Sequence, residues 1–344
     1  MGSQESTIAN NSSSVTSANK KPSFTFEKEL QDPRYGGTVT IVRRSKNSRP
    51  HVLIKKKVNS SLALERELKF LNKRMIFPNP NLLKIDSYKQ KDEQSCCNIE
   101  WTIDIYVEYL ENDLQKELAE KRKANANYQE HELIYLIENL TQGLYSLEKA
   151  QVPSPNISPA NVLIDSFGAY KFVDLHLINF KPESFSSSSY KKLLAPEDLE
   201  EVKPKLETPR TKVDVFSLGM TILEAATLEP SSEIYDYEKR KINEQLLEER
   251  LNKLKSKYSP DLCLLIASML KLNSQERADL QTVCERLSEL GDSLVNNGAN
   301  KSFALDRVQA DHDTTSMDRG SPKRREEFRK SPSPTQRLLK EISH

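Results

Sequence analysis

Ser154-Pro155-Asn156-Ile157-Ser158-Pro159-Ala160-Asn161, followed at once by Val162-Leu163-Ile164-Asp165, is the stretch on which the fold turns. Prolines, serines and asparagines make its first part a loop, because these residues fix φ or bond their own backbone. Val162-Leu163-Ile164 is a short apolar strand. The turn Asp165-Ser166-Phe167-Gly168 separates it from a second short strand. Upstream, Leu133, Ile134, Ile137, Leu140, Leu144 and Leu147 recur at helical spacing and predict a long helix with a buried stripe. Downstream, Val213 to Leu228 is a mostly apolar helix.

The N-terminal part reads differently. Phe24-Thr25-Phe26-Glu27 alternates, Thr38-Val39-Thr40-Ile41-Val42 follows the Gly36-Gly37 turn, and Val52-Leu53-Ile54 follows the turn cluster Ser45 to Pro50. Such short connections predict three sequential antiparallel strands. Leu62 to Leu71 then reads as a helix, and Asn81 to Ile85 and Ile103 to Val107 as two more strands. Ser259-Pro260 opens a helix through Leu270, as an N-cap with proline in the first turn. A last helix runs from about Asp279 to Leu290.

The 344 residues carry a formal net charge of +1, which gives no argument for nucleic acid as a partner. A hydrophobic fraction of 36% is low for a chain folded throughout, so polar tails are expected. The reading is residues 1–22 as a disordered Ser/Asn-rich tail, 23–292 as the folded domain and 293–344 as a disordered tail with Ser-Pro sites. Cys96, Cys97, Cys263 and Cys284 lack zinc-ligand spacing, and free thiols in a reducing cytosol are the simplest reading. A cytoplasmic location is the expectation, since neither a signal-peptide pattern nor a membrane-length apolar run is read in the sequence. Met1-Gly2-Ser3-Gln4-Glu5-Ser6 fits the N-myristoylation pattern, though Met-Gly-Ser is also a common cloning scar. One myristoyl chain would give only weak membrane association through Gly2.

The loop that opens this section resembles the catalytic loop of eukaryotic protein kinases, His-Arg-Asp-Leu-Lys-Pro-x-Asn followed by an apolar strand. Asn156 stands at the catalytic Asp, Ser158 at the following Lys and Pro155 at the Arg, while Pro159 and Asn161 match. The resemblance covers roughly residues 24 to 290. It implies an α+β, two-lobed fold. The small lobe, residues 23–108, has five antiparallel strands and one helix; the large lobe, 109–292, is mainly helical. It assigns Gly37 and Val39 to what remains of the Gly-rich loop, where Asp32 and Arg34 replace glycines. Leu53 falls at the adenine-packing Ala, Lys55 at the phosphate Lys and Glu67 at its helix partner. Val107, Glu108 and Leu110 fall at the gatekeeper and hinge. Asn161 and Asp174, the latter in Asp174-Leu175-His176, become the magnesium ligands. Ala195-Pro196-Glu197, Asp214 to Gly219 and Arg277 match the landmarks of the large-lobe core.

A carboxamide cannot accept a proton as a carboxylate does, so the catalytic assignment is none. Only 9 glycines in the chain also argue against a tight phosphate clamp. The resemblance therefore implies a pseudokinase, a scaffold or allosteric regulator acting on other proteins, with ATP and Mg2+ bound weakly or not at all. The alternatives are an active but atypical Ser/Thr protein kinase, with Glu183 as a substitute base, and a membrane or cytoskeletal adaptor working through its tails. Ser321-Pro322 and Ser331-Pro332-Ser333-Pro334 read equally as proline-directed phosphorylation sites or as part of a solubilising tail, and Ser186 to Tyr190 offers hydroxyls for phosphorylation whose usual Arg receptor is replaced by Pro155.

Overall fold

Residues 24–35, 37–76, 78–94, 99–152, 156–173, 193–199 and 210–296 are described by a computed structural model of the chain. The N-terminal lobe contains β1 (Thr25–Asp32), β2 (Gly37–Arg43), β3 (His51–Val58), α1 (Ser61–Ile76), β4 (Ile85–Gln94) and β5 (Ile99–Glu108). The strands form one antiparallel sheet in the order β1-β2-β3-β5-β4. Gly37, at φ 116°, holds the left-handed backbone that leads into β2.

The C-terminal lobe begins with β6 (Asn112–Asp113), α2 (Leu114–Ala124) and α3 (Glu130–Lys149). It continues through β7 (Val162–Ile164), β8 (Tyr170–Phe172), α4 (Pro196–Leu199) and α5 (Arg210–Thr227). After the ribbon β9 (Tyr235–Asp236) and β10 (Lys241–Ile242) come α6 (Glu244–Leu254), α7 (Pro260–Met269) and α8 (Leu280–Asn296). Local chemistry starts these helices. Asp113 accepts from Lys116 N, Ser259 from Leu262 N with Pro260 in the first turn, and Asp279 from Thr282 N. Helix α5 is buried from Val213 to Thr227 apart from Glu224, so its sequence is mostly apolar around its whole circumference.

The expected strand over Asn81–Ile85 is corrected. The fourth strand starts only at Ile85 and continues through the polar run Asp86 to Gln94, whose pairing with β5 needs no apolar alternation of its own. Asn81 to Lys84 bridges the lobes instead. Phe172 N donates to Asn81 O, and Leu83 N donates to Phe172 O, each at 2.9 Å. The Asn81 side chain donates to Asn139 Oδ1 at 2.6 Å and to Tyr170 O at 3.1 Å. Gly143 on α3 allows this approach: a Cβ there would lie 2.9 Å from the Phe172 ring and 3.0 Å from Asn81 O. Helix α8 also extends past residue 292 to Asn296. Cys96 and Cys97, the N-terminal tail and all residues after 296 lie outside the described residues.

Candidate functional site

The loop before β7 keeps its shape. Asn161 donates through its side chain to Asn156 O at 2.9 Å, and through its backbone to Ser158 O at 3.0 Å. Ile157, Ser158, Pro159 and Asn161 are buried, and Asn156 is half-buried. The closure is thus made by one carboxamide holding the backbone of the residue that carries another. Nothing in that closure depends on residue 156 being an acid, which explains how the loop can survive with Asn156 in place. Asp174, Leu175, His176, Glu183 and Ser186 to Tyr190 lie outside the described residues.

Further into the large lobe, Arg277 donates to both carboxylate oxygens of Glu197, at 2.7 and 3.0 Å. Its remaining donors reach Lys271 O, Lys212 O and Leu272 O. The guanidinium side chain is 0% exposed and lies over the Phe216 ring. A buried cation with every edge engaged is the arrangement that such a charge requires.

In the small lobe the lysine assignment shifts by one residue. Glu67 Oε1 pairs at 2.8 Å with Lys56 Nζ, and both side chains are about 15% exposed. Along β3 the buried residues are Val52, Ile54 and Val58, on the face that carries Lys56; His51, Leu53, Lys55 and Lys57 alternate onto the other face. Lys55 is exposed there. The expected Lys55–Glu67 pair is therefore corrected to Lys56–Glu67, and Leu53 gives its inward place to Ile54. The physical reason is that three consecutive lysines hide the period of two, which the apolar neighbours then decide.

The hinge itself is fully engaged. Tyr35, in the 3-10 turn Pro33–Tyr35 between β1 and β2, is 4% exposed. Its hydroxyl accepts from Leu110 N at 2.9 Å and donates to Glu108 O at 3.3 Å. Burial raises the phenol's pKa well above its ordinary value, while the Leu110 bond pulls the other way, so the proton needed for the second bond is held. The ring lies 5.6 Å from that of Tyr109. Tyr35 shares one apolar cluster with Val39, Ile54 and Val107 of the sheet and with Leu163 and Val173 of the other lobe.

The preceding residue fastens this turn. Arg34 pairs with Asp32 at 2.5 Å, with Asp113 at 2.9 Å and with Glu111 O at 3.0 Å. Burial opposes the charge, but the Asp32 bond and the charges of Asp32 and Asp113 override it and raise the Arg34 pKa. The Glu108 side chain is spent as well: Lys171 Nζ sits 2.9 Å from its Oε1, and Lys84 N donates to the same oxygen at 2.8 Å.

These contacts test the fit of ATP and magnesium. Val107 and Glu108 end β5 and Leu110 follows it, at the hinge positions that the resemblance implies, and there the Glu108 carbonyl and the Leu110 amide both bond the Tyr35 hydroxyl. Leu163, on the other lobe, is fully buried. The residues in this conformation do not fit a nucleotide base. Of the two magnesium positions that the resemblance implies, Asn161 donates its side-chain N–H to Asn156 O, and Asp174 lies outside the described residues. In the sequence Arg34 reads as a glycine replacement, whereas Tyr35 matches no landmark of the resemblance. The signal available was an aromatic residue set directly before the Gly36-Gly37 pair, in a turn where a solvated loop tip would be polar.

The family comparisons agree with this geometry at the level of the domain. A model of the protein kinase domain matches residues 35–287. The chain is 30% identical over 195 residues to a dual specificity protein kinase, zak2, of Dictyostelium discoideum. That match takes in 52% of this chain and only 28% of the relative, so the chain corresponds to about a quarter of the relative's length. The five-stranded lobe, the buried Glu197–Arg277 pair and the match over most of the folded chain together identify it as a member of the protein kinase domain family.

Proposed function

We propose that this protein is a pseudokinase that acts on other proteins as a scaffold or allosteric regulator. The observation that carries the reading is Asn156, a carboxamide at the position of the phosphoryl-transfer base, in a loop whose closure by Asn161 is intact. A base must take a proton near neutral pH, and a carboxamide has no such chemistry. Ser158 supplies no charge for the transferring group, and losing one such electrostatic contact commonly costs ~10²–10³ in rate. Scaffolding is supported by what is kept, since Arg277 and Glu197 hold the large lobe whether or not chemistry occurs.

Transfer of radiolabelled phosphate from Mg-ATP, to the protein itself and to a generic protein substrate, tests the reading. No incorporation above that of Asp174→Ala is expected. Incorporation that disappears in Asp174→Ala would sink the proposal.

A second reading, an active kinase of atypical chemistry, is favoured by the name of the Dictyostelium relative. It needs a base from outside the loop, and the same assay decides between the two. Beyond this, the domain's partners are proposed to be proteins. No helix among the described residues is long and apolar enough to cross a membrane.

A further inference from the structure

From the contacts at the hinge we infer that Tyr35 is a built-in occupant of the base site, an internal plug that a planar nitrogen heteroaromatic such as a purine must displace. The inference rests on the pseudokinase reading for the consequence it carries, but on different residues for its argument.

Three observations bear on it. First, one hydroxyl serves both an N–H and a C=O two residues apart, accepting from Leu110 and donating to Glu108. Those two backbone groups present an adjacent donor and acceptor, the pattern a purine edge would complement, and a tyrosine hydroxyl is one of the few side-chain groups able to satisfy both. Second, the ring is embedded rather than laid on the surface, in the cluster that joins Val39, Ile54 and Val107 to Leu163 of the opposite lobe. An entering base would have to take the ring's place. Third, the turn is latched on both sides. Arg34 spans from Asp32 on β1 to Asp113 at the start of α2. The latch joins the strand lobe to the helical lobe.

A plug attached to the same chain lowers apparent affinity by the fraction of time the site is open. Full-length protein is therefore compared as wild type, Tyr35→Ala and Tyr35→Phe. Calorimetric titration and thermal shift are run with Mg-ATP and separately with adenosine. Wild type is expected to show no shift at millimolar ligand, and Tyr35→Ala a Kd at least tenfold lower than the wild-type value or limit. Tyr35→Phe keeps the ring and its packing but loses both hydrogen bonds, so it serves if the alanine variant is unstable. A threefold gain is expected for it. Equal binding by wild type and both folded variants, tight or undetectable, overturns the plug, and so does absence of gain in Tyr35→Phe when Tyr35→Ala does not fold.

Phosphate transfer by the same variants separates the two claims. A Tyr35→Ala protein that binds and does not transfer supports both. One that binds and transfers upholds the plug and overturns the pseudokinase reading. One that folds but gains no binding overturns the plug and leaves the missing base at Asn156 as it was.

Discussion

Two arginines make a useful contrast. Arg277 in the large lobe and Arg34 at the hinge both lie in low-exposure sites with paired carboxylates and backbone carbonyls, yet they do different work. Arg277 closes a stationary core: its partners Glu197, Lys271, Lys212 and Leu272 all belong to the same lobe, and its plane lies over Phe216. Arg34 joins elements that need not stay together, a turn of the small lobe and the first helix of the large one. The difference teaches where this chain has put its permanence. The helical lobe is fixed by a buried charge that cannot be left unpaired, whereas the two lobes meet near residues 108–113 through contacts made by one short turn.

The sharpest way to break the contrast is at Glu197. Glu197→Ala strands a buried guanidinium, and removing one partner of such a pair costs about 3–5 kcal/mol. Urea unfolding should show this as a lower midpoint; a loss below 1 kcal/mol would mean that the large lobe is not held in this way. Gly143→Ala comes next. The added methyl meets the Phe172 ring and the Asn81 carbonyl, and overpacking of this kind costs roughly 1–3 kcal/mol. It reports on the bridge between lobes, and its cost should be unaltered by Tyr35→Phe.

Smaller effects are expected in the sheet. Lys56→Met removes the partner of a partly buried Glu67 and should cost about 1 kcal/mol, while Lys55→Met on the exposed face should stay within about 0.5 kcal/mol. The reverse ranking in thermal melts would restore the Lys55 assignment. The least effect concerns pH. Burial depresses the His51 pKa below its ordinary 6.5, against the pull of Asp86. A depressed imidazole contributes stability that is present above the unfolded value and lost as pH falls through the folded one. Stability should therefore decline on acidification below about pH 6.5, and His51→Gln should flatten that slope in unfolding curves taken between about pH 7 and 5.

How much of this was legible in the sequence depends on what kind of signal each residue carries. The helices were readable because α3 and α5 bury stripes or whole surfaces of apolar side chains. The start of α7 was readable because Ser259 and Pro260 are a chemical cap. The sheet was readable where strands alternate, and the order of the kinase landmarks fixed its place in the fold. Strand β4 was missed over Asp86 to Gln94 because its hydrogen bonds come from β5 rather than from an apolar face. The segment Asn81 to Lys84 looked like a strand because Leu82 and Leu83 are buried, yet their burial comes from crossing between lobes. At the site, the carboxamide of Asn156 was plain from the sequence alone. Tyr35 was not, because a hydroxyl that satisfies two backbone groups leaves no spacing or periodicity for a sequence to display. The thiols gave the reverse lesson: Cys263 and Cys284 are free, as their lack of zinc-ligand spacing suggested, and burial pushes the Cys284 thiol up to about 12, far from reactivity.

The lysine run of β3 has a consequence for how this lobe finds its pairing. With Lys55, Lys56 and Lys57 in succession, a strand that slides by one residue in either direction still offers Glu67 an ammonium group. The ion pair is therefore blind to the slip. What the slip changes is everything else on that side: Val52, Ile54 and Val58 would leave the interior, and His51 and Leu53 would enter beside two charges. Fidelity of the sheet during folding must then come from three aliphatic side chains, so trimming Val52 or Val58 should trap misaligned chains more readily than removing any single lysine.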